Sequence, residues 1–175
     1  MIKAQRGMTL IELSIGLLIV SILLAASAPS FMAWIQNTKI RSAAESLQNG
    51  LQVARNEALR RNANVEFRLG TATGWQVVVV GTGEVVQERS ENEGSVNVTL
   101  AAEPAGAVYA MFTGLGRVSG LDSAGDPPLT QLDIDVPTTV LSAADSRDLR
   151  ITIGIGGQVR MCDPNISATG DTRKC

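Results

Sequence analysis

The chain has 175 residues, a formal net charge of −2, 45% apolar residues, only 3% aromatic residues and no histidine. That length allows one domain with an appendage. The missing histidine removes the commonest general base and metal ligand, and the scarce aromatics remove stacking platforms for bases or sugars. Near-neutral charge argues against a general nucleic-acid binder, but the charge is uneven: six basic and three acidic residues in 39–68, three and eleven in 84–148, and four and two in 149–175.

The chain opens with a short basic segment, residues 1–7, carrying Lys3 and Arg6. Residues 13–34 read LSIGLLIVSILLAASAPSFMAW, and the next charge is Lys39. A bilayer needs roughly 20 apolar residues as a helix, so this run is long enough to span one. The positive-inside rule keeps the basic end in the cytoplasm and sends the bulk of the chain across. A secretory signal peptide would have a shorter apolar core and an A-x-A-like cut site, which residues 25–28 mimic. Glu12 argues against that reading. A carboxylate in hydrocarbon is costly and marks function, and it needs a cationic partner. Cutting after Gly7 would create one, the new amine of Met8, four residues before Glu12 and on the same helix face. A neighbouring subunit can equally supply the amine, and the plain structural alternative is a glutamate snorkelling from the helix end.

Beyond the apolar run, Ile40, Ala43, Ala44, Leu47, Leu51, Ala54 and Ala58 recur at three- and four-residue spacing, one apolar stripe of a helix. Arg41–Glu45 and Glu57–Arg61 form i,i+4 pairs on its outer faces. The spacing predicts one helix over roughly residues 9–62, bent near residues 25–29 because Pro29 removes a backbone donor. Gly50 is a weak point within it.

After residue 64 the period switches to two. Val65, Phe67 and Leu69 alternate with polar residues, and residues 75–80 and 84–89 flank the turn Gly81-Thr82-Gly83 as a hairpin. Further strands are expected over 95–100, 107–113, 131–136, 149–155 and 158–161, the last two joined around Gly156-Gly157. Seven or eight short strands laid on one helix make an α+β fold with an antiparallel β-domain.

Few residues suggest chemistry. Asp133 and Asp135 share a strand face, expected to be the outer face of an edge strand, and Asp122 and Asp126 lie in a Pro/Gly loop. Their spacing fits no EF-hand. The glycines of 154–157 open no helix and form no phosphate loop, and without histidine no serine triad can be built. No catalytic residue, metal site or cofactor is expected. Cys162 and Cys175, 13 positions apart, read as one disulfide in an exported protein.

The segment Arg6-Gly7-Met8-Thr9-Leu10-Ile11-Glu12 resembles the signal of type IV prepilins and type II secretion pseudopilins. That resemblance implies a pilin fold, with 1–7 a leader, 8–35 a transmembrane and filament-packing helix, and 36–175 a periplasmic domain. It also implies cleavage after Gly7 by a prepilin peptidase, N-methylation of Met8, and a Glu12 that guides docking into the filament. Met8 stands where the family usually has Phe, and Pro29 falls where many pilins carry a helix-kinking proline.

Residues 112–117 (FTGLGR), 151–155, 157–164 (GQVRMCDP) and 171–175 are similar to the GspH/FimT group of minor pilins and minor pseudopilins. The resemblance implies a subunit supporting type IV pilus assembly or, alternatively, a type II secretion pseudopilin. Other pilins or pseudopilins, the peptidase and the inner membrane are its partners. Some FimT-type pilins bind double-stranded DNA for natural transformation through Gly-Arg-x-Arg. The matching residues are Gly157, Gln158, Val159 and Arg160, so the first arginine is lost and with it one phosphate-binding cation. Arg150, Arg173 and Lys174 would have to compensate, held near Arg160 by the disulfide. The alternative is an Arg160 that only blunts a sheet edge.

Overall fold

The structure, a computed structural model, describes residues 7–91, 93, 95–123 and 125–175. Residues 1–6 of the expected leader lie outside the described residues. The chain divides into two compact units between Ile35 and Gln36, and each is described on its own terms.

One helix, α1 (Leu10–Arg61), begins in the first unit and ends in the second. Its start is capped by Thr9. The Glu12 amide donates to Thr9 Oγ1 at 3.3 Å, which satisfies one of the donors that a helix N-terminus otherwise leaves open, and the Thr9 hydroxyl points to Glu12 Oε2 at 3.4 Å. The large apolar side chains between Leu10 and Trp34 are all exposed. Ser14, Ser21 and Ser27 donate their hydroxyls to the carbonyls of Leu10, Leu18 and Leu24, so these side chains carry no free donor into an apolar surrounding. Pro29 lies inside the helix, and Phe31 stacks on Trp34 at 5.8 Å between ring centroids.

From Gln36 onward the same helix buries a stripe that includes the seven residues picked out by their spacing. It stops in a Schellman motif: Asn62 takes a positive φ of 48°, and Ala63 and Asn62 donate to the carbonyls of Ala58 and Leu59. This satisfies carbonyls left open by the last turn. The expected pairs Arg41–Glu45 and Arg61–Glu57 form at 2.8 Å each.

Eight strands follow: β1 (Val65–Leu69), β2 (Trp75–Val79), β3 (Val85–Arg89), β4 (Thr99–Glu103), β5 (Tyr109–Phe112), β6 (Gln131–Asp135), β7 (Leu149–Ile153) and β8 (Val159–Cys162). They form two antiparallel four-stranded sheets, ordered β3-β2-β1-β5 and β4-β6-β7-β8. The helix stripe, Phe67, Trp75 and Phe112 of the first sheet, and Leu132, Ile134 and Ile151 of the second form one core. Gly50 has a packing role. A Cβ there would stand 2.9 Å from both Phe67 Cε2 and Trp75 Cδ2, so the missing side chain lets both rings approach the helix. Trp75 Nε1 completes the contact by donating to Ser46 Oγ at 3.0 Å.

Two expectations change. Residues 95–98 form a turn closed by Val98 donating to the carbonyl of Ser95, and Asn97 has a φ of 75°; the strand therefore starts at Thr99 rather than Ser95. Asp133 and Asp135 lie on β6, which pairs with β4 on one side and β7 on the other. They are on an inner strand, not an edge, because a strand distant in sequence docks beside them.

Candidate functional site

Two regions carry the candidate residues. The first is the start of the helix. Gly7, Met8 and Glu12 are all exposed, and nothing lies within 4 Å of where a Gly7 Cβ would be. Glu12 is the acidic residue of the first helical turn, where the helix dipole favours a negative group. Thr9, which anchors it, was readable from the S/T-x-x-E spacing but was not singled out.

The second region is the C-terminal tail on the edge strand β8. Cys162 closes β8 and forms a disulfide with Cys175. Asp163 pairs in parallel with Lys174, and the Asp163 amide donates to the carbonyl of Arg173 at 2.7 Å. The tail therefore returns to the strand end and brings three of the four candidate cations together. Arg160 Nη2 donates to the carbonyls of Thr172 and Lys174 at 2.9 and 2.5 Å. Lys174 Nζ donates to the carbonyl of Ser167. Arg173 clasps Asp171 through Nε and Nη2 at 3.2 and 2.8 Å.

The fourth cation, Arg150, sits in the register of β7 opposite Asp133 and holds it with Nε at 2.5 Å and Nη2 at 3.0 Å. That hydrogen bond raises the Arg150 pKa, overcoming burial, which lowers it. Beside this pair the Ser146 hydroxyl lies 2.8 Å from Asp135 Oδ1 and 2.7 Å from Asp148 Oδ1. Burial first, then the Asp148 carboxyl, pushes Asp135 up. Burial pushes Asp148 up as well, but hydrogen bonds with Ser146, Asp135 and Asn165 outweigh it and hold it down. Asp133, Asp135 and Asp148 line an open cavity of about 500 Å³ with Arg150, Pro164 and Asn165. The outer face of the second sheet is thus of mixed charge, and its cations are already engaged. Among the described residues no group of three histidine, cysteine or acidic side chains can hold a metal ion.

Asp171 gives this arrangement a pH signature. The hydrogen bond from Arg173 holds its carboxyl down, from an ordinary 3.8 to about 2. A depressed carboxyl pKa contributes stability that is complete above the unfolded value and lost as pH falls through the folded one. The Asp171–Arg173 clasp should therefore persist at every pH above 3.8 and open only as pH falls toward about 2. An NMR titration of the Asp171 carboxyl is expected to show that depressed midpoint, and Arg173→Ala should return it toward the ordinary value.

The glycine-rich segments singled out in the sequence also meet. The Val118 amide donates to the carbonyl of Ile155 at 3.1 Å, and Arg55 Nε on α1 donates to the carbonyl of Gly116 at 3.1 Å. Gly116 and Gly157 have φ of 71° and 81°. A Cβ on Gly157 would stand 1.9 Å from the Gly116 carbonyl oxygen. The Gln158 side chain folds back over this turn: a Cβ on Gly154 or on Gly156 would come within 2.7 Å of it.

Glu66 departs from the pattern of its strand. It alternates with Val65 and Phe67 as a solvent-facing position would, yet it is fully buried. It accepts from the Ser123 amide and hydroxyl at 2.9 Å each and from Arg68 Nε at 2.8 Å. The only local signal was Arg68 two residues on, on the same strand face.

The family model described as type II transport protein GspH matches residues 43–157. The chain belongs to the GspH family. A model of the prokaryotic N-terminal methylation motif matches residues 2–28. The GspH match ends at Gly157, so the tail with its disulfide lies beyond it. Two crystal structures of the Pseudomonas aeruginosa type IV minor pilin FimU are similar to this GspH-family chain at 18% identity. They have TM-scores of 0.50 and 0.51, cover 73% and 77% of this chain, and are themselves covered to 99%. At that identity the likeness shows the fold, which is the pilin fold of one long helix on antiparallel sheets. No curated protein matches the sequence.

Proposed function

We propose that the chain is a minor pilin of a type IV pilus, a structural subunit that supports pilus assembly. A prepilin peptidase cuts it after Gly7. Residues 8–35 anchor it in the inner membrane and later pack it into the filament, and residues 36–175 stand in the periplasm. Glu12 sets the register of docking by pairing with a Met8 amine, its own or a neighbour's. The observation that carries this reading is the apolar half of α1, which has no buried residue across its most apolar window and opens two residues after Met8 with an acid in its first turn. Burying such a surface, at roughly 25 cal/mol per Å² of apolar area, drives helix packing in a filament. Gly7→Ala is expected to leave uncut precursor, read as the intact N-terminus by mass spectrometry. Glu12→Ala is expected to be cut yet depleted from sheared filaments. Normal incorporation of both variants overturns the proposal.

The family match to a type II transport protein favours a second reading, a minor pseudopilin with the same processing and fold. Deleting the gene discriminates: loss of protein secretion with surface pili intact points to the pseudopilin. A third reading, a pilus-tip receptor for double-stranded DNA, has less behind it, because Gln158 stands where the first arginine of the Gly-Arg-x-Arg pattern would be and Arg150 and Arg173 are each paired with a carboxylate. Non-specific binding needs cations free to displace counterions from phosphates. The full chain in detergent is expected not to shift duplex DNA at low salt. A shift that Arg160→Ala with Arg173→Ala abolishes would make DNA uptake the correct reading.

A further inference from the structure

The two most exposed large apolar side chains of the second unit are Leu115 and Ile155, at 79% and 77%. They stand on the two abutting glycine turns, and those turns are held fast. Val118 donates to the carbonyl of Ile155, Arg55 donates to the carbonyl of Gly116, and the Gly157 backbone leaves no room for a side chain against it. Leu59 of α1, half exposed, lies against Gly116. Exposed apolar side chains on mobile tips are ordinary, but a rigid, clustered display is what binding hot spots require, since little order is lost on association. The charges beside it point the same way. Among the described residues seven arginines reach a carboxylate. Arg117, exposed next to Gly116, is not among them, and Arg55 donates to a carbonyl.

We infer that Leu115, Ile155 and Leu59, with Arg117 at the rim, form a docking surface for a neighbouring pilin-type subunit. That subunit meets the surface with an apolar patch bearing a carboxylate. This inference rests on the proposed function. A second copy docking by the same patch is disfavoured, because a two-fold contact sets the patch against itself, and Leu115, Ile155, Leu59 and Arg117 include no carboxylate to meet Arg117. A lipid surface has no need of a fixed apolar template.

The test uses the full chain in its native cells, with a photo-crosslinking amino acid at position 115 and, as a control, at the exposed Val96. Position 115 is expected to cross-link to another pilin-type subunit, identified by mass spectrometry, and Arg117→Glu should abolish that product. Leu115→Ser with Ile155→Ser should leave protein level, disulfide and Gly7 cleavage unchanged while incorporation into sheared filaments falls about tenfold. A cross-link only to lipid, only to a second copy of this chain, or equally from position 96 overturns the inference, as does normal incorporation of the double variant. If the wild-type chain is neither cut nor found in filaments, the proposed function fails instead, and the cross-link alone then decides the surface.

Discussion

Gly157→Ala is expected to destabilise the domain more than any other single methyl addition considered. The residue has a φ of 81°, a region that costs an alanine roughly 1–2 kcal/mol. Its new Cβ would stand 1.9 Å from the Gly116 carbonyl oxygen. That oxygen belongs to the backbone and is held by Arg55, so the clash cannot relax by rotating a side chain. Overpacking adds about 1–3 kcal/mol, for a total near 3 kcal/mol and a fall in melting temperature of about 10 °C. Gly83→Ala is the control. It has a φ of 73° and nothing within 4 Å of the new Cβ, so it should lose only the conformational share, about 1 kcal/mol. Melts of the full chain in detergent, read by near-ultraviolet circular dichroism, compare the two. Equal losses would mean that the turns yield.

Glu66→Ala is expected to cost nearly as much, by a different route. Its carboxylate accepts from Ser123 twice and from Arg68 once, and removing it leaves those donors, on an exposed Ser123 and a part-exposed Arg68, facing a fully buried position. Breaking one side of a buried, charged network costs about 3 kcal/mol, somewhat less here because Arg68 is 40% exposed and can rehydrate. The loss should be local as well as global. The loop around Ser123 is tied to the first sheet through this carboxylate, so amide exchange over residues 119–126 should accelerate well before the melting temperature is approached. Unchanged exchange there would show that the loop is held by other contacts, such as the Asp122–Asp126 bonds that close it.

What the sequence made legible was local. The uncharged run from 13 to 34, the glutamate at its head and the three–four spacing from Ile40 to Ala58 are written in consecutive residues, and the helix follows them almost to its last turn. The Cys162–Cys175 pair formed as expected. What stayed hidden was non-local. β1 pairs with β5, and β4 pairs with β6, so the split into two sheets cannot be read from any single hairpin. The same limit explains Asp133 and Asp135, whose alternation looked like an edge until β4 docked beside them. It explains Glu66, whose period put it on an outer face that a distant loop then covered. It explains the candidate site too. Arg173 and Lys174 return beside Arg160 while Arg150 lies apart on Asp133, and the carboxylates and carbonyls that the four engage are set by register and by the returning tail.

The buried residues of α1 begin at Gln36. Among the described residues the side chains of α1 in the core run from Ile40 onward, downstream of the apolar run. In the proposed function this separates two problems of solvent. A subunit leaving the bilayer for a filament exchanges lipid for protein around residues 8–35, and nothing in the core has to be remade. The domain travels as finished cargo, and the cost of transfer is confined to a helix whose Ser14, Ser21 and Ser27 hydroxyls are satisfied within itself. Extraction can then be reversible without risking the fold, so that a waiting pool of membrane subunits can be drawn on and returned.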